Sequence, residues 1–189
     1  MQYQSTEYDC TPTTFINALR YLLEREDIDP LIVKQIMTFS FDGVDKEGNI
    51  CRGTSTTSIH IISDWINNYC ESKSKGIRCQ FITSDKINLE KNKDIRRCFE
   101  SGGVALVGIN LNESIYHNVL VTRMDDEFVY VFDSDIMDLS NNEPDIEFFD
   151  NEPYQFNRKV TIKRLNDFED KFYSMGNQVK RECVLITKI

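Results

Sequence analysis

The hydrophobic period of this chain changes partway along it, and that change limits the folds open to it. As far as the pair Gly102-Gly103 the apolar residues recur mainly at helical spacing; beyond it they alternate or run in short blocks. From Pro12 the residues Phe15, Ile16, Leu19, Leu22 and Leu23 keep helical spacing, and the run ends near Glu24–Asp29. Pro30 then opens a second short helix carrying Leu31, Ile32, Val33, Ile36 and Met37, proline being favoured at a first helical position. In RGTSTTSIHIISDWINNYC, Thr54 or Ser55 supplies an N-cap, and Ile59, Ile62, Trp65 and Ile66 form the apolar stripe of a third helix. NKDIRRCFESGG reads as a fourth, stopped by its two glycines.

The later segments have the period of strands. VALVGINL (104–111), HNVLVTRM (117–124) and EFVYVFDS (127–134) read as three strands, with two more at 156–165 and 183–189. Helices followed by strands with short hairpin loops predict an α+β fold with an antiparallel sheet. The acidic, proline-containing stretch NNEPDIEFFDNEP (141–153) reads as a surface loop or flap. No repeat, low-complexity tract or linker interrupts the chain, so residues 1–189 read as one domain.

Charge and cysteine usage narrow the function. A net charge of -9, with 31 acidic against 22 basic residues, sets the chain against nucleic-acid partners. No stretch approaches the ~20 apolar residues of a membrane span, so no membrane partner is expected. The polar N-terminus has neither the basic nor the apolar region of a signal peptide, which predicts a cytoplasmic location. The six cysteines are scattered without a C-x-x-C pair and read as free thiols; the two histidines stand at no metal-ligand spacing, so neither metal nor cofactor is expected.

One cysteine stands apart. In QSTEYDCTPTT, Cys10 sits between polar residues at the start of a helix, where free N–H groups and the helix dipole favour a thiolate. Thiol catalysis also needs a histidine, a group to orient it, and donors for the developing oxyanion. His117 begins a strand behind Asn112, Glu113 and Ser114, and Asp133 ends the next strand. Gln4 stands close enough before Cys10 for its side-chain amide to meet the same carbonyl oxygen as the Cys10 N–H. A three-residue loop of Met124, Asp125 and Asp126 pairs Arg123 with Glu127 and hence His117 with Asp133, directly opposite on one face. Val119, Val121, Val129 and Val131 share that face, and Leu120, Phe128, Tyr130 and Phe132 take the other. A two-residue loop would put the pair on opposite faces.

Competing readings are a buried structural thiol for Cys10, a surface residue for His117 and a turn residue for Asp133. Cys51, ahead of Gly53-Thr54-Ser55, is the rival reactive thiol, and His60 reads as partly buried structure.

QSTEYDCTPTT with NAL behind it, then HNVLVT and VYVFDS, resembles the papain-like peptidases that process bacteriocin leaders at double-glycine sites, and their stand-alone bacterial relatives. The resemblance spans most of the chain. It implies a papain-like architecture, a helical lobe on an antiparallel sheet. It also implies Cys10 as nucleophile, His117 as base, Asp133 as orienting residue and Gln4 as oxyanion donor. Thr11 follows the cysteine where the family often has glycine, and Asn118 follows the histidine where an aromatic or aliphatic residue is common. The expected activity is thiol hydrolysis of a peptide or amide substrate. An acyl transferase using the same thioester, or a silent binding module of the same fold, are the alternatives.

Overall fold

The computed structural model describes residues 1–112, 115–136, 143–149, 151–152 and 154–189. Glu113 and Ser114, and positions 141, 142, 150 and 153 of the acidic stretch, therefore lie outside the described residues. Helix α1 (Cys10–Leu22) begins two residues ahead of Pro12 and stops short of Glu24. Helix α2 (Pro30–Ser40) has proline at its first position, with the Asp29 side chain accepting from the Leu31 N–H at 3.0 Å. Helix α3 (Thr56–Ser72) takes Ser55 as its cap, the hydroxyl accepting from the Ser58 N–H at 3.2 Å.

Strand β1 (Ile77–Thr83) follows, then helix α4 (Lys93–Glu100). This corrects the helices-first order of the sequence reading: a strand separates the third and fourth helices. At the end of α4, Gly102 adopts φ +76°, and the N–H groups of Gly102 and Gly103 donate to the carbonyls of Phe99 and Cys98 at 3.0 and 2.8 Å. That is the left-handed glycine stop expected of the pair.

Strands β2 (Val104–Asn110), β3 (Tyr116–Met124), β4 (Phe128–Phe132), β5 (Ile146–Phe148), β6 (Arg158–Thr161) and β7 (Glu182–Lys188) complete the set, with a short helix α5 (Ile162–Leu165) after β6. Among the described residues they form a seven-stranded antiparallel sheet in the order β1-β7-β2-β3-β4-β6-β5. The α+β reading holds. Two details do not: 156–165 is a four-residue strand running into a helix, and the acidic stretch contributes β5, paired with β6, so it is not simply a loop.

The sheet separates two cores. On one face Phe15, Ala18 and Leu19 of α1, Ile32 and Ile36 of α2, and Ile59, Ile62 and Ile66 of α3 cover Leu106, Leu120, Phe132, Val184 and Ile186. On the other, Ile95 and Cys98 of α4, Leu165 of α5, Tyr173 and Met175 cover Val107, Ile109, Val119, Val121, Val129 and Val131. The valines and the Leu120/Phe132 pair thus lie on opposite faces, as the alternation predicts. No described helix is long and apolar enough to cross a membrane.

Candidate active site

Helix α1 lies over β3, tied there by the Thr14 hydroxyl, which donates to the Asn118 carbonyl at 3.0 Å. Its first residue, Cys10, is thereby brought to the beginning of β3. Asp9, the residue before it, gives the helix no side-chain cap. The Asp9 carboxylate instead turns back to accept from the N–H groups of Ser5 and Thr6, at 3.0 and 3.1 Å. The positive end of α1 is left to the thiol and to whatever approaches it.

His117 and Asp133 meet through their side chains. His117 Nε2 stands 2.7 Å from Asp133 Oδ1, both groups being buried, Asp133 completely. The route to this contact differs from the hairpin arithmetic. A register shift between Val121 and Arg123 makes Leu120 face Phe132 and Val121 face Val131. The turn is even, not the expected three-residue loop of Met124, Asp125 and Asp126: Met124 faces Val129 and the Asp125 N–H donates to the Phe128 carbonyl at 3.0 Å. The residue that the bulge at Thr122 adds to β3 restores the parity, so His117 and Asp133 are diagonal neighbours on one face, not direct partners.

Burial alone would push the Cys10 thiol up, but the hydrogen bond and charge of His117, the Asn118 N–H and the Thr11 hydroxyl hold it below the ordinary 9.0. For His117 burial works downward, and Asp133 followed by Cys10 outweighs it, raising the imidazole to about 10. With Nε2 committed to Asp133, Nδ1 is the ring nitrogen left for the thiol. Burial would also raise the Asp133 carboxyl; His117, Tyr173 and the Asp135 N–H hold it below its ordinary value. The three shifts run in the directions that favour a thiolate–imidazolium pair backed by a carboxylate.

The other cysteines differ. Burial raises Cys70, Cys79, Cys98 and Cys183, with Cys98 pushed up to about 11. Cys51 is exposed, its thiol 3.6 Å from the Gly43 carbonyl. All six are free. His60 is exposed, stacked on Phe81 and paired with Asp64 at 3.3 Å, which corrects its reading as partly buried structure.

Thr11 and Asn118, the two departures from the family pattern, are partners. Thr11 is fully buried and its hydroxyl accepts from Asn118 Nδ2 at 2.8 Å.

Two further residues support Asp133. Asn157 brackets its backbone: Asn157 Oδ1 accepts from the Asp133 N–H at 2.8 Å, and Nδ2 donates to the Asp133 carbonyl at 2.7 Å. The Tyr173 hydroxyl donates to Asp133 Oδ2. Tyr173 is fully buried and holds φ 62°, a conformation costing a non-glycine residue on the order of 1 kcal/mol or more. Neither residue carries a sequence signal, since Asn157 merely precedes a strand and Tyr173 stands 40 positions from its partner.

Gln4 is held beside the same strand end. Its N–H donates to the Ser134 carbonyl at 2.9 Å, and its Oε1 accepts from the Ser134 hydroxyl at 3.3 Å. Its Nε2 donates to the Thr6 carbonyl at 3.3 Å, a long contact in an exposed setting. The structure thus brings Cys10, His117 and Asp133 into one row and anchors the Gln4 backbone next to Asp133. Compared with known proteins, the sequence matches no family model and no curated protein.

Proposed function

We propose that this chain is a thiol hydrolase of the cysteine-peptidase type, cleaving a peptide or amide bond through Cys10, His117 and Asp133 within a papain-like arrangement. The observation that carries the reading is the buried row in which a thiol held low, an imidazole held high and a carboxylate 2.7 Å from that imidazole follow one another. The placement of α1 to α3 on one face of an antiparallel sheet, with the thiol at a helix start, supports it, as does the resemblance of the motifs to leader peptidases.

Cys10 Sγ attacks the carbonyl carbon, and the oxyanion forms toward the uncapped end of α1, with the Cys10 N–H as one donor. Gln4 Nε2 is the second once it turns from the Thr6 carbonyl. The C–N bond breaks as the His117 imidazolium gives its proton to the leaving amine, leaving a thioester and a neutral imidazole. His117 then takes a proton from water, which attacks the thioester; the acid leaves and the thiolate–imidazolium pair returns. Asp133 fixes the ring throughout and carries no proton itself.

Alkylation at pH 6 tests the reading. Iodoacetamide should modify Cys10 faster than each of the other five cysteines, exposed Cys51 included, as read by intact mass and peptide mapping. A Cys10 no faster than Cys70 or Cys98 would leave only a catalytically silent module. Cys10→Ala should abolish turnover of any peptide or amide substrate found.

A further inference from the structure

A cavity of about 510 Å3 has a wall that includes Thr54, Thr56, Asn110, Tyr116, Asp170 and Glu182. Tyr116 immediately precedes His117 and pairs with Asn110 across the β2–β3 ladder. The alternation of the strands fixes what faces the cavity. Leu106, Leu120, Val184 and Ile186 belong to the core covered by α1, α2 and α3, and Tyr116 and Glu182 share their parity. Both side chains therefore leave the sheet on the side of α1 and α3. Arg181 points the other way, its guanidinium donating to the carbonyls of Gly176, Ile87, Asn166 and Asp167.

Glu182 is the group that calls for a ligand. Its side chain is buried, with the residue 4% exposed, and among the described residues its Oε2 has no hydrogen-bond partner. Thr54 Oγ1, on the same wall, is also buried without one. A carboxylate taken out of water with an open acceptor position costs free energy until a donor or a cation meets it. Burial pushes the Glu182 carboxyl above its ordinary range, against a smaller effect of the Thr56 hydroxyl; that is the direction of a carboxylate lacking its countercharge. Asp170 adds a second carboxylate to the wall, its Oδ1 accepting from Asn110 Nδ2 at 3.4 Å. Lys180 borders the cavity through an exposed side chain. The terminal carboxylate torsion is broad and two-fold, so either Glu182 oxygen can be presented inward.

We propose that this cavity is a substrate subsite for an ammonium or guanidinium group, with Glu182 as the acceptor that selects it. The assignment as a subsite rests on the thiol-hydrolase reading of Cys10; the cation site itself does not. A substrate seated there would place its cationic side chain on the α1–α3 side of the sheet, one strand residue from His117. The scissile carbonyl could then lie at the start of α1.

Two readouts keep the claims apart. Ethylguanidine titrated into the wild-type protein, followed by amide NMR shifts, reads the cavity without turnover, and neutral N-ethylurea is the isosteric control. Shifts centred on Tyr116, Glu182 and the start of α3 are expected for the guanidine, with the urea about tenfold weaker or more. Glu182→Gln should weaken the guanidine by about the same factor, while iodoacetamide labelling of Cys10 stays unchanged. Equal binding of guanidine and urea, or no shifts at these residues, overturns the cation site whatever Cys10 does. That wild-type comparison holds even if the variant fails to fold. Guanidine bound at Glu182 beside an inert Cys10 overturns the subsite role and, separately, the hydrolase reading.

Discussion

Replacing Asn157 by alanine tests how the carboxylate of the row is held. The Asn157 side chain meets both backbone groups of Asp133, accepting at 2.8 Å and donating at 2.7 Å, and both residues are buried. It continues, as a side chain, the pairing that β4 and β6 make as backbone up to Val131 and Arg158. Alanine removes both bonds and strands a buried N–H and a buried carbonyl. Each orphaned group costs about 1–3 kcal/mol, so the loss should be about 2–6 kcal/mol, the lower end applying if water enters the gap. Against a typical total of about 5–15 kcal/mol this is large. Asn157→Asp should fare no better, since a carboxylate accepts from the N–H but cannot donate to the carbonyl, and it brings a second negative charge beside Asp133. Urea unfolding measures this directly, through a lower midpoint at unchanged slope. Cys10 alkylation at pH 6 should slow in the same variant, because Asp133 no longer holds the ring in place. A stability loss below about 0.5 kcal/mol would refute the argument from orphaned groups. So would full destabilisation with an unaltered Cys10 rate, as far as positioning is concerned.

Other outcomes follow from the same row. Asp133→Asn removes the charge that raises His117, so Cys10 alkylation at pH 6 should fall about tenfold or more and its pH profile should move upward; an unmoved profile would remove Asp133 from the site. Gln4→Ala should leave small-molecule alkylation of Cys10 nearly intact while turnover drops about a hundredfold or more; normal turnover would make Gln4 structural. His117, raised to about 10 from an ordinary 6.5, contributes stability that is complete below 6.5 and lost as pH climbs through about 10. Cys10, lowered from 9.0, works in the opposite sense: its contribution is present above 9.0 and lost as pH falls. The two offset each other, so melting temperatures of wild type should be flatter between pH 6.5 and 9 than those of Cys10→Ala, which should decline across that window. Equal slopes would mean that the imidazole and thiol do not exchange their proton.

Local rules carried much of the fold. Pro30 behind Asp29, Ser55 ahead of α3 and Gly102-Gly103 after α4 are each a short-range device, and each acts as its residue type dictates. The alternation that separates Val119, Val121, Val129 and Val131 from Leu120 and Phe132 is equally local. What escaped depended on distant chain. Strand β1 depends on its pairing with β7, which joins residues about 100 positions apart or more, such as Ile77 and Lys188. Strand β5 hides in acidic sequence because only its partner β6, with Lys159 meeting Glu147 at 3.2 Å, makes a strand of it. The bulge at Thr122 changes register without a glycine to announce it. In the candidate site, residue types brought Cys10, His117 and Asp133 within view, but the face that His117 and Asp133 share comes from the bulge and not from the expected loop, and Asn157 and Tyr173 act through contacts 24 and 40 positions from Asp133.

The bond between Thr11 and Asn118 makes these two positions a single unit of variation. Thr11→Gly alone would strip a buried amide of the hydroxyl it donates to, and Asn118→Val alone would leave that hydroxyl without its donor. Changed together, the second replacement removes the polar group that the first would have orphaned, so the pair should cost less than the sum of its parts. A path from this chain to one with glycine after the cysteine and an aliphatic residue after the histidine therefore crosses a ridge whichever step comes first. Drift would tend to keep threonine and asparagine together or exchange them together, so the residue after Cys10 is coupled to the residue after His117.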